Sequence, residues 1–277
     1  MGSMATTEVT ELLVPLDRRE ASVRSVPVAG RIAKRRGLGL CLFTVAEDRD
    51  AAAGWLREVA DRYLSGRDVA LDVGPPGDPA DAIVEAAGDS SLVCMATAGS
   101  LRPHGGHVGS VAENVVRRIG RPVMLVGPQM TPDPGQNTQR VIAPIDGSKF
   151  SEACLDLACD LARRFGVPVW VVTVLSPESE ARAQAAQLRD GPLVESGYVS
   201  RLARGLAEKY DIDVEFEVLH RNDPARAIVD FAGDDGTVVM ATHGRSGLNR
   251  LFGGSVATDV VARSHRAVMV WRPDDEE

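Results

Sequence analysis

The residues with the clearest chemistry lie between Val238 and Val256. A short apolar run, Val238-Val239-Met240, reads as a buried strand and breaks at Ala241-Thr242-His243-Gly244. After a loop, Gly254-Ser255 opens a periodic apolar segment, Val256, Val260 and Val261, that reads as a helix. The orphan N–H groups of a first helical turn and the positive end of the helix dipole favour a phosphate there. Small residues at the mouth let a ligand approach the backbone closely. Arg245 and Arg250 can add charge-assisted bonds to phosphate. Ser255 reads equally as a plain N-cap, and the two roles are compatible because both use the same donors. His243 lacks a Ser or Cys nucleophile partner, so no catalytic residue is assigned.

The elements that must position this stretch occur twice. Leu12-Leu13-Val14-Pro15-Leu16-Asp17 matches Val141-Ile142-Ala143-Pro144-Ile145-Asp146 at an offset of 129 residues. Asp78-Pro79-Ala80 matches Asp223-Pro224-Ala225, Met95-Ala96-Thr97-Ala98-Gly99 matches Met240 to Gly244, and Gly109-Ser110-Val111 matches Gly254-Ser255-Val256, all at 145. Blocks in the same order with one change of offset mark an internal duplication. The extra residues of the second copy are assigned to Ser176–Gly197, and the linker to Pro128–Gln139.

Each copy alternates strand and helix. Strands are expected near Leu12–Leu16, Leu38–Val45, Ala70–Val73, Leu92–Ala96 and Val123–Val126, then Val141–Ile145, Val169–Leu175, Val214–Leu219, Val238–Ala241 and Val268–Trp271. Helices include Ser151–Phe165 and Pro224–Ala232, and Asp78 and Asp223 read as N-caps ahead of Pro at N1. The strands are continuous apolar runs, which suits parallel sheets covered on both faces. Right-handed crossovers then give a doubly wound α/β fold. With strand order 3-2-1-4-5, the ligand crevice lies between first and fourth strands, beyond their carboxyl ends. That places Asp146 beside Ala241 and Asp17 beside Ala96.

Together these features resemble a tandem universal stress protein over nearly the whole chain. The loop is similar to that family's Gly-x2-Gly-x9-Gly-Ser/Thr nucleotide loop, with Ala241 standing for the first glycine. The resemblance implies two five-stranded domains, residues 8–128 and 139–273, paired through their apolar fifth strands as an intramolecular pseudo-dimer. It implies that Asp146 and Asp17 contact adenine or ribose, and that Pro144 and Pro15 also belong to the nucleotide-binding residues. Val174 and Val45 line the base pocket. Met240, Ala241 and Gly244, and Met95, Ala96 and Gly99, frame base and ribose. Gly254, Ser255 and Val256, and Gly109, Ser110 and Val111, hold phosphates, with Arg245 beside them in the second copy. The first copy keeps the loop length but reads Ser100-Leu101-Arg102-Pro103-His104-Gly105-Gly106-His107-Val108, with no arginine directly after Gly99. The second copy is therefore the better match.

Composition excludes several classes. A net charge of −8 lacks the basic footprint that non-specific nucleic-acid binding needs. Aromatics at 4% are too few for a base-stacking platform. No apolar run is long enough to span a bilayer, and no secretory leader is visible, so a cytoplasmic protein is expected. Cys41, Cys94, Cys154 and Cys159 lack metal-site spacing and read as buried thiols. His104 and His107 lack a carboxylate or Cys to complete a metal set. The expected ligand is ATP, alone or with Mg2+, in a stress sensor or regulator with a homodimer open to it and an unidentified protein partner. The alternatives are a weak ATPase or nucleotidyl-transfer enzyme, a nucleotide-free interaction module, and a cAMP binder.

Overall fold

A computed structural model of the chain describes residues 8–97, 101–102, 105–106, 109–131, 137–176, 194–242 and 256–273. The first half contains β1 (Glu11–Pro15), α1 (Ser25–Arg36), β2 (Gly39–Val45), α2 (Arg49–Tyr63), β3 (Ala70–Gly74), α3 (Pro79–Ala86), β4 (Ser91–Ala96), α4 (Ser110–Arg118) and β5 (Val123–Val126). The second contains β6 (Arg140–Ile145), α5 (Cys154–Phe165), β7 (Val169–Leu175), α6 (Val194–Tyr210), β8 (Val214–His220), α7 (Pro224–Ala232), β9 (Gly236–Ala241), α8 (Val256–Arg263) and β10 (Val268–Trp271). The strands expected from sequence are all present, with ends displaced by at most two residues.

All ten strands form one sheet in the order β8-β7-β6-β9-β10-β5-β4-β1-β2-β3. Each half has the 3-2-1-4-5 order, and pairing within each half is parallel. The halves join through the antiparallel pair β5–β10, with Val123 opposite Val270 and Leu125 opposite Val268. The apolar fifth strands thus satisfy each other's edges, which would otherwise invite outside partners.

Burial explains the continuous apolar runs. Along β1, Leu12 and Val14 face a core shared with α1, α2, α5 and α6, while Leu13 faces the core shared with α3, α4, α7 and α8. Successive strand residues point to opposite faces, so both faces must be apolar.

One expectation needs correction. The helix expected over Ser151–Phe165 is a one-turn helix, Lys149–Glu152, followed by α5, with a break at Ala153. Ser148 caps the first turn by accepting from the Ser151 N–H, and the Ala153 N–H reaches both Lys149 O and Ser151 O. Apolar periodicity cannot register such a break. The extra residues assigned to Ser176–Gly197 include the start of α6 at Val194. Residues 177–193 lie outside those described.

The expected caps are present. Asp78 Oδ1 accepts from the Ala80 and Asp81 N–H groups at 2.9 and 3.0 Å, and Asp223 Oδ1 accepts from Arg226 at 3.1 Å. All four cysteines are buried, and burial pushes each thiol up to about 12.

Candidate functional site

The crevice arises because β1 and β4 part company. They pair from Glu11 opposite Ser91 to Leu13 opposite Val93. Beyond that point β1 stays on β2, with Pro15 opposite Phe43, while β4 stays on β5, with Ala96 opposite Val126. The second half repeats this: β6 and β9 pair only up to Ile142 opposite Val238.

In the first half the opening is a cavity of about 340 Å³. Pro15, Asp17, Val45, Met95, Ala96, Gly109, Ser110 and Val111 all line it. These come from four separate segments of sequence and meet only in the fold. Gly99 lies outside the described residues. The wall is largely apolar, with Phe43, Val45, Ile83 and Met95, and the mouth carries Asp17, Arg18, Arg19 and Ser22. A volume of this size is in the ordinary range for small-molecule sites.

The first turn of α4 opens onto this cavity. Its N-cap is Gly109, and no side-chain hydrogen bond caps it. Gly109, Ser110, Val111 and Ala112 all contribute to the lining. A nine-residue helix with an uncapped N-terminus presents donors and positive potential to whatever enters.

Asp17 is held by its own turn. Its Oδ1 accepts from the Arg19 N–H at 2.9 Å, and its backbone N–H donates to Ser22 Oγ at 3.2 Å. Ser22 Oγ donates to Asp17 O at 2.7 Å. Asp146 has the same turn, accepting at Oδ1 from the Ser148 N–H at 3.0 Å and also from Ser148 Oγ at 2.6 Å. Neither aspartate is the N-cap of the one-turn helix that follows it: Arg19 precedes Glu20–Val23, and Ser148 precedes Lys149–Glu152.

In the second half, Pro144, Met240 and Ala241 stand at the divergence of β6 and β9, and Val174 near the end of β7. Pro144 and Met240 are buried, and Val256, which begins α8, is 40% exposed. Gly244, Arg245, Gly254 and Ser255 lie outside the described residues, as do His243 and Arg250 of the same loop. His104 and His107 also lie outside them.

Of the cavity residues that sequence reasoning missed, three bring charge or an indole ring. Arg18 and Arg19 follow Asp17 directly, and Trp55 reaches the cavity from α2. The Arg18 guanidinium carbon lies 6.0 Å from the centre of the Trp55 rings. A signal existed: Trp55 adjoins the buried face Ala52, Leu56, Val59 of α2, in a chain with only three tryptophans. Among the described residues no group of three His, Cys, Asp or Glu could hold a metal ion, and no helix is long and apolar enough to cross a membrane.

A doubly wound half-sheet with a crevice at the strand-order switch, repeated and paired edge to edge, defines the class of protein. The chain belongs to the universal stress protein family. The model of the Universal stress protein family matches residues 137–272. Universal stress protein MJ0531 of Methanocaldococcus jannaschii is 30% identical over 150 residues, covering 52% of this chain and 88% of that relative. Universal stress protein Rv2005c of Mycobacterium tuberculosis is 31% identical over 204 residues, covering 70% of this chain. The match spans 66% of that relative's own length. A crystal structure of a universal stress protein from Archaeoglobus fulgidus matches with a TM-score of 0.63 at 20% identity, covering 95% of this chain and 98% of that one. That likeness shows the two-half fold in a single chain.

Proposed function

We propose that the protein binds an adenine nucleotide, ATP first among them, in the crevice of each half and acts as a regulator in a stress response. The observation that carries this reading is the first-half cavity. It gathers all the described site residues of that half around about 340 Å³, at the uncapped N-terminus of α4. An apolar wall facing a donor-rich helix start suits a ligand with a flat apolar base at one end and phosphates at the other. Val45 and Met95 belong to the base end, and Gly109, Ser110 and Val111 to the phosphate end. Arg18 and Arg19 supply the cationic charge that the first-half loop lacks directly after Gly99. Any Mg2+ would arrive with the phosphates, since it is bound largely through them and water.

Regulation requires nucleotide to favour one state of the crevice over another. The turn at Asp17 and the start of α4 are the two elements that a ligand spanning the cavity would hold together. No catalytic residue is assigned.

Native mass spectrometry of the full chain, followed by acid release of bound small molecules, tests the reading. One or two ATP increments are expected, one removed by Gly109→Asp and the other by Gly254→Asp. No increment after titration with millimolar ATP or cAMP would leave a nucleotide-free interaction module. Steady consumption of bound ATP would move the protein into the hydrolase class.

A further inference from the structure

A second cavity, about 100 Å³, lies at the seam between the halves. Its floor includes Met124 of β5 and Met269 of β10, the antiparallel pair that joins the two sheets. Three arginines line it: Arg31 and Arg35 from α1 of the first half, and Arg266 just ahead of β10 in the second. Thr138 and Thr237 bring two hydroxyls, 2.8 Å apart. None of these residues belongs to either nucleotide crevice.

The charge arrangement is unusual for an acidic chain. Arg31 and Arg35 are four apart on one helix, a spacing at which like charges destabilise. Arg266 comes to them across the seam. Burial pulls its guanidinium below the ordinary value, Asp235 and Asp234 oppose this, and Arg31 and Arg35 add to it. Arg36 is pulled down as well, by burial and by Arg35. Asp235 Oδ1 also accepts from Arg140 Nε at 3.2 Å. Arg266 is fixed in place by donating to Asp234 O at 2.7 Å and to Thr138 Oγ1 at 3.1 Å. A pre-positioned guanidinium sharing a small cleft with two more, over an otherwise largely apolar lining of Val28, Ile32, Met124 and Met269, is an arrangement that can bind a tetrahedral oxyanion.

We propose that this seam cleft binds a phosphate-type oxyanion, held by Arg31, Arg35 and Arg266. Its size excludes a whole nucleotide and admits one phosphate group, either free or at the end of a small phosphate monoester. Because α1 and β10 belong to different halves, a bound oxyanion braces one half against the other.

The test is thermal unfolding of the full chain, with sodium phosphate replacing sodium chloride at constant ionic strength. Phosphate is expected to raise the Tm of the wild type. The double variant Arg31→Gln/Arg35→Gln is expected to keep a cooperative unfolding transition in chloride and to lose the phosphate response. Gly109→Asp, which blocks the first-half crevice, is expected to keep that response. No rise in the wild type, a full response in the double variant, or loss of the response in Gly109→Asp would overturn the proposal. The last result would place the anion at α4 and leave the nucleotide reading standing. Phenyl phosphate run in parallel separates the sources. A response equal to that of inorganic phosphate marks a monoester ligand, and a response to inorganic phosphate alone marks the free anion.

Discussion

The two halves share a fold but distribute charge around their crevices differently. In the first half, the turn after β1 reads Asp17-Arg18-Arg19, and both arginines line the cavity. In the second, the same turn reads Asp146-Gly147-Ser148, with Gly147 at φ +79° and Ser148 bonded twice to Asp146. By sequence the second half has no arginine in that turn and carries Arg245 and Arg250 after β9, outside the described residues. Cationic residues thus occur in the turn after β1 in one half and in the segment after β9 in the other, so a loop motif alone ranks the halves poorly. The first half also adds Trp55, with Arg18 over its rings.

The largest expected effect is on the packing of the two halves against each other. Gly127, just past β5, has no room for a side chain: an added Cβ would lie 1.9 Å from Val261 O of α8. The repeat places Arg272 at the matching position, so the seam is asymmetric here. Gly127→Ala is expected to cost about 1–3 kcal/mol or more, read as a fall in Tm. An unchanged Tm would mean that α8 can shift freely.

Next comes nucleotide affinity. Arg18→Ala/Arg19→Ala should weaken only the first-half site, by roughly tenfold at low salt, with the loss shrinking as salt rises. Trp55→Ala should weaken the same site by about 1 kcal/mol, through loss of the ring face against which Arg18 lies. Titration calorimetry of each variant reads both. Equal losses at both sites would break the contrast between the halves.

The caps should give smaller, nearly matched effects. Asp78→Ala and Asp223→Ala should each cost about 1 kcal/mol, measured by urea unfolding. Asp223 also accepts from Arg263 Nη1 at 2.5 Å. Burial raises the Asp223 carboxyl, but the bonds from Arg263 and from the Arg226 and Ala225 backbone outweigh it and hold it below its ordinary value. A depressed carboxyl stabilises above its unfolded pKa and loses that contribution as pH falls through the folded one. The gap between wild type and Asp223→Ala should therefore narrow on the acid side of the carboxylate range.

The thiols should respond least at neutral pH. With each thiol raised to about 12, native labelling by a thiol reagent should be negligible for Cys41, Cys94, Cys154 and Cys159 alike. A raised thiol stabilises below its unfolded pKa, and that contribution is lost as pH rises through the folded one. The Tm should accordingly fall as pH climbs from 9.0 toward 12. Rapid labelling of one cysteine at pH 8 would show local opening around it.

Sequence patterning alone determined the duplication, the ten strands and the parallel character of each half. Continuous apolar runs such as Leu12–Val14 admit burial on both faces and little else. It also marked Asp17, Ala96 and Gly109 for one crevice, because strand order fixes which strand ends diverge. Only the tertiary structure decided what no local pattern carries. It broke the helix at Ala153, where competing acceptors share one N–H. It brought Trp55, Arg18 and Arg19 into the first-half cavity, and Arg31, Arg35 and Arg266 to the seam. Periodicity reports which face of an element is buried. Which charged side chains from distant elements share a cavity depends on how the helices pack across the sheet, and that is set only when both halves are assembled.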